Sequence, residues 1–87
     1  MSELIDLQTL SMLQAAGAVA SYRLVVTPQG TVLEAKIGKD TKKLATTRGG
    51  LRLFQKIDTA AGMLVQLGAR LADLDLQQWD PPSKEAS

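Results

Sequence analysis

Ser21-Tyr22-Arg23-Leu24-Val25-Val26-Thr27-Pro28-Gln29-Gly30-Thr31-Val32-Leu33-Glu34-Ala35-Lys36-Ile37-Gly38-Lys39 is the stretch that decides the fold. Tyr22, Leu24 and Val26 alternate with their neighbours, and so do Leu33, Ala35 and Ile37, which is the period of a half-buried strand. Glu34 and Lys36 share the face opposite Leu33, Ala35 and Ile37. Between the two runs lies Thr27-Pro28-Gln29-Gly30, with proline at the second turn position and glycine at the fourth. The reading is a β-hairpin, Ser21–Thr27 paired with Thr31–Lys39.

Working outward, Leu7, Leu10 and Leu13 recur at spacing three and predict a helix from about Asp6 to Ala16, with Asp6 as N-cap and Gly17 ending it. After the hairpin, Gly38–Thr41 reads as a turn. Lys42–Thr47 and Leu51–Lys56 read as two short strands joined by Arg48-Gly49-Gly50, with Leu51 and Leu53 facing one way and Arg52 the other. Asp58 to Leu67 predicts a second helix, capped by Asp58, closed by Gly68 and burying Ala61, Leu64, Val65 and Leu67. Gly62 weakens that helix unless it serves close packing. Asp73–Trp79 alternates again and predicts a last strand, stopped by Asp80-Pro81-Pro82. The expectation is one two-layer α+β domain over residues 1–80, with an antiparallel sheet of three to five strands and two helices, and a disordered tail over 81–87.

Composition narrows the function. The chain has 87 residues, 45% hydrophobic and 22% charged, which fits a globular domain rather than a disordered chain. A domain this small buries only about 60–65% of its unfolded surface. There is no cysteine for a disulfide and no histidine for a metal or a general base, so a homodimer is the expected support for the thin core. Met1-Ser2-Glu3 has no basic segment, and the apolar run Ala15–Ala20 is far too short to span a bilayer. The expected setting is therefore soluble and cytoplasmic, with no membrane partner.

Catalytic chemistry is not legible. Without histidine, a nucleophilic serine would need a lysine base, and the lysines lie in a dense, exposed run. Gly38-Lys39-Asp40-Thr41 fails the phosphate-loop pattern, which needs glycine where Leu33 stands and Ser or Thr where Asp40 stands. Asp73 and Asp75 project from one strand face and could hold a hard cation, but no further oxygen ligand is spaced to help them. A solvated edge is the plainer reading. The expectation is a non-enzyme with no metal and no cofactor.

The charge distribution is the positive signal. Seven of the ten basic residues (Lys36, Lys39, Lys42, Lys43, Arg48, Arg52 and Lys56) crowd into one run opposed only by Asp40. Such a strip suits phosphates. It also fits a solvated face with lysines guarding strand edges, or an acidic protein partner. With only Tyr22, Phe54 and Trp79 as aromatics, duplex DNA is a better expected partner than a single strand, which needs stacking platforms. Trp79, placed on the polar face of its strand, reads either as an interface residue or as a side chain folded back over the core.

The order of segments resembles a known family. Leu7-Gln8-Thr9-Leu10 leads to Ala15-Ala16-Gly17-Ala18-Val19. The hairpin and Lys43-Leu44-Ala45-Thr46-Thr47-Arg48-Gly49 follow. Leu51-Arg52-Leu53-Phe54-Gln55-Lys56-Ile57-Asp58-Thr59-Ala60-Ala61 then runs on to Leu67-Gly68 and the last strand. From Leu7 to about Trp79 this resembles the small ParC-like, partition-associated proteins of bacterial plasmids and integrative elements. The resemblance implies a role in maintenance or segregation of a mobile element and contributes no catalytic residues. Three functions stay open: a homodimeric DNA-binding partition accessory, an adaptor to a partition protein, and an inhibitor of a host or competitor system.

Overall fold

A computed structural model describes residues 3–79. The predicted hairpin is its centre. β2 (Val19–Thr27) and β3 (Gly30–Ile37) pair antiparallel, with Tyr22 opposite Ala35 and Leu24 opposite Leu33. Thr27 locks the turn: its Oγ1 donates to Gly30 O (2.7 Å) and accepts from Gln29 N (3.2 Å). Gly30 has φ 147°, and a Cβ there would sit 3.1 Å from Phe54 O and 3.2 Å from Leu53 Cβ. Close approach as well as backbone conformation thus reserves the site for glycine.

β4 (Asp40–Leu44) adds antiparallel to β3, with Lys43 opposite Glu34 and Lys42 opposite Ala35. Two short edge strands complete the sheet: β1 (Leu4–Ile5) beside β4 and β5 (Asp73–Asp75) beside β2, in the order β1-β4-β3-β2-β5. Both edge strands pair parallel, so the sheet is mixed rather than antiparallel throughout. The cause is the pair of helices, α1 (Leu7–Ala15) and α2 (Ile57–Leu67). Each reverses the chain between two strands, β1–α1–β2 and β4–α2–β5, so four strands share one direction and β3 alone opposes them.

Both helices cover one face of the sheet. Leu10 from α1 and Ala60 and Leu64 from α2 pack with Ile5, Tyr22, Leu24, Leu33, Ala35, Leu44 and Phe54. The Tyr22 hydroxyl carried into this core is satisfied, because its Oη donates to Gln14 Oε1 at 2.7 Å. Burial raises the Tyr22 phenol above its ordinary pKa. Asp6 caps α1 as read, accepting from Thr9 N at 2.7 Å, and these bonds lower its carboxyl pKa. A depressed pKa contributes stability above the ordinary carboxylate value, and that contribution fades as pH falls through the folded value.

Five expectations are corrected. The strand expected at Lys42–Thr47 is Asp40–Leu44. Leu51–Lys56 is not a strand; it touches the sheet through two single bridges, Ala45 to Leu51 and Thr31 to Phe54. β5 ends at Asp75, because the Asp75 carboxylate accepts from Gln77 N (3.0 Å) and turns the chain. The cap of α2 is Lys56, with no side-chain bond, and Asp58 lies in the first turn, where its charge favours the helix dipole. The buried face of α2 is also rotated by one residue: Ala60 and Leu64 are buried, whereas Ala61 is exposed and Val65 is 48% exposed. Residues 80–87, including the expected tail, lie outside the described residues.

Gly62 is on the exposed side of α2, and a Cβ there would meet nothing within 4 Å. It therefore does not serve close packing. Gly62→Ala is expected to raise stability by about 0.5–1 kcal/mol, read as a Tm rise of roughly 2–8 °C in thermal unfolding followed by circular dichroism. An unchanged or lower Tm would contradict this placement.

Candidate nucleic-acid interface

Strand parity divides the seven basic residues. Lys36 and Lys43 follow the register of Glu34 and Thr41 and lie on the open face of the sheet, away from the helices. Lys42 pairs with Ala35 and so lies on the helix-covered side, half-buried. Lys39 is exposed in the turn between β3 and β4, beside Gly38. These four lysines form one group on the β3–β4 hairpin.

The other three are elsewhere. Arg48 is exposed on a loop that Thr46 organises: Thr46 Oγ1 accepts from Arg48 N (3.3 Å) and Gly50 N (3.2 Å), and Thr46 N donates to Gly50 O (2.7 Å). Arg52 is half-buried, its Cζ 4.7 Å from the centroid of the Phe54 ring. Lys56 follows Phe54, and Phe54 pairs with Thr31 at the start of β3. Lys36 is five residues further along that strand, roughly 16 Å at about 3.3 Å per residue. The single basic strip of the sequence is thus a lysine hairpin with three separated cations.

The open face carries more than lysine. Asp73 lies opposite Arg23, Arg23 opposite Glu34, and Glu34 opposite Lys43, whose Nζ lies 3.5 Å from Glu3 Oε1. Charge alternates in sign along this row, so Lys43 has two acidic neighbours while Lys36, opposite Ser21 and Thr41, has none in its register. The Lys43–Glu3 pair is solvent-exposed and of small energetic worth. Arg23 was missed by a search for a basic run; the hairpin register alone would have set it against Glu34. Val25 and Val32 are buried on the same face and share a small cavity with Leu51, Leu53 and Gln78.

Asp73 and Asp75 do share a face, and among the described residues no group of three His, Cys, Asp or Glu could hold a metal. Trp79 is past the end of β5, not on it. Its side chain is 46% exposed and borders a surface hollow with Pro28, Gln29, Lys56 and Ile57, so it leans on the hairpin turn while keeping half its surface free. No described helix is long and apolar enough to cross a membrane.

The architecture is thus a small α+β domain presenting a lysine-bearing hairpin. A family model described as ParC-like matches residues 5–83, and the chain belongs to the ParC-like family. That membership suggests a plasmid-related role. No curated protein and no solved structure matches the chain significantly.

In the loop bearing Arg48, one hydroxyl engages two amides, beside the backbone bonds that close it. Thr46→Ala is expected to cost about 1 kcal/mol, the net worth of its lost hydrogen bonds, and to speed hydrogen exchange at the Arg48 and Gly50 amides while β2 and β3 keep their protection. Unchanged exchange at those two amides would show that Thr46 does not hold the loop.

Proposed function

We propose that this ParC-like chain is a non-enzymatic accessory of plasmid maintenance, acting in the cytoplasm as a homodimer that contacts duplex DNA through its β3–β4 hairpin. The observation that carries the reading is the hairpin itself: Lys36 and Lys43 lie on its open face and Lys39 at its turn, with Lys42 on the helix-covered side. Lysines on the open face and at the turn can neutralise phosphates laid across the sheet without any strand entering a groove. Arg48 extends the positive surface at the far end of β4. Arg52 and Lys56, proposed from sequence as further contacts, contribute less, being stacked on Phe54 or far along β3.

The contact is electrostatic and weakly selective. Lysine neutralises phosphate as a point charge and supplies little base readout. Homodimerisation doubles the charge and covers part of the apolar surface a thin core leaves exposed.

The test is fluorescence anisotropy of a labelled generic duplex. Four phosphate contacts predict a loss of roughly 100-fold in affinity between about 50 and about 200 mM salt. Lys36→Glu with Lys39→Glu should lower the magnitude of the salt slope by about 2. An unchanged slope, or no binding at low salt, would overturn the hairpin contact.

A second reading has its own observation. Leu71 is 87% exposed, Leu74 51%, Leu76 43% and Trp79 46%, all along the last segment of the described chain. An adaptor or inhibitor that docks a partition or host protein would use this edge. Partner capture that survives high salt and is lost in Trp79→Ala, with the fold retained and no DNA shift, would put this reading first.

A further inference from the structure

Between the start of α1, the end of β4 and the Thr46–Gly50 loop lies a cavity of about 510 Å³. That volume is in the range of small-molecule sites. Its walls are of two kinds: Leu7, Leu44 and Met63 on the apolar side, and Thr46, Thr47 and Arg52 on the polar side. Arg52 is fixed there by its stack on Phe54, whose ring is 2% exposed. Its guanidinium forms no hydrogen bond or ion pair with any described residue. A half-buried guanidinium offers five donors in a planar fork suited to a carboxylate or phosphate, and leaving them unpaired is costly.

Asp6 also borders the cavity and has to be counted. Its carboxylate is engaged by Thr9 at the start of α1, which lowers its pKa and directs its charge to the helix terminus. Arg52 is the one cation in the cavity wall, Asp6 stays a solvent-exposed anion at its border, and the hydroxyls of Thr46 and Thr47 add neutral donors to the lining.

We propose that this cavity binds a small amphipathic anion, with a carboxylate or phosphate head on Arg52 and an apolar chain along Leu7, Leu44 and Met63. The site is separate from the lysine hairpin, so its occupation does not depend on DNA binding.

The test is a two-dimensional amide NMR titration of the full chain with octanoate and with octyl phosphate, below micellar concentration. Octanol and octyltrimethylammonium serve as the neutral and cationic controls. The expected result is saturable shifts of the Leu44–Gly49 and Asp6–Gln8 amides by one or both anions, and weaker or no shifts with the controls. Whichever anion binds more tightly identifies the head group. Arg52→Met should weaken the anions about tenfold, the worth of one charge-assisted contact. Gln8→Trp, on the exposed rim of α1, should block the cavity with Arg52 intact and keeps the test decisive if Arg52→Met does not fold. Lys36→Glu with Lys39→Glu should leave octanoate binding unchanged while altering DNA binding, so each reading can fail by itself. Absence of saturable shifts with both anions, equal binding of octyltrimethylammonium, or anion binding unaffected by either cavity variant would overturn the proposal.

Discussion

Two reciprocal backbone hydrogen bonds, Thr31 N to Phe54 O and Phe54 N to Thr31 O, both 2.8 Å, hold the fold at its least regular point. β4 leaves the side of β3 at Leu44, and without another partner the first residues of β3 would have orphaned backbone groups next to the core. Phe54 fills that place. The exchange buries Thr31 to 3% and Phe54 to 2%, puts the ring under the helices, and turns the chain toward α2 two residues later. It requires Gly30, because any side chain there would press on the carbonyl that Phe54 contributes. The stack on Arg52, the cavity wall and the separation of Lys56 from the hairpin lysines all follow from this one seating.

The hairpin was legible because its signals are local. Period-two alternation placed Tyr22, Leu24, Val26, Leu33, Ala35 and Ile37 on one face, and Thr27-Pro28-Gln29-Gly30 supplied turn chemistry at the right offset. Asp6, Gly17 and Gly68 marked helix ends for the same reason. The parallel edges were not legible. Leu4–Ile5 has no period to read over two residues, and its pairing with β4 is set by a crossover through α1 rather than by any neighbour in sequence. Leu51–Lys56 alternates like a strand and does send Leu53 and Phe54 to opposite sides, yet the Thr46–Gly50 loop takes up the intervening residues and leaves only single bridges.

The site was half legible for a related reason. A run of cations in sequence says nothing about faces once the run crosses a strand, a turn and a loop. Adjacent Lys42 and Lys43 necessarily part, because neighbouring side chains on a strand project oppositely. What kept Lys36, Lys39, Lys42 and Lys43 together is that one hairpin carries all four. What removed Arg52 is packing, an aromatic ring two residues away on the same side, which charge counting does not register.

That removal bears on what a DNA contact by this chain could do. Guanine edges are read best by arginine, whose fork reaches two acceptors at once. Of the arginines in the basic run, Arg52 is stacked and half-buried, and Arg48 is on a loop tip rather than on a strand. Arg23 stands opposite Asp73 on one neighbouring strand and Glu34 on the other, an acidic setting unfavourable to a second anion. The hairpin surface is left with lysines, which hold phosphates without regard to sequence. On the proposed reading, then, site choice cannot come from the ribbon of a single copy. It has to arise from the spacing that a second copy imposes on two ribbons, or from another protein docked along the exposed edge at Leu71, Leu74 and Trp79. On that reading the apolar edge and the basic hairpin would be complementary parts of one device, the first supplying address and the second supplying grip.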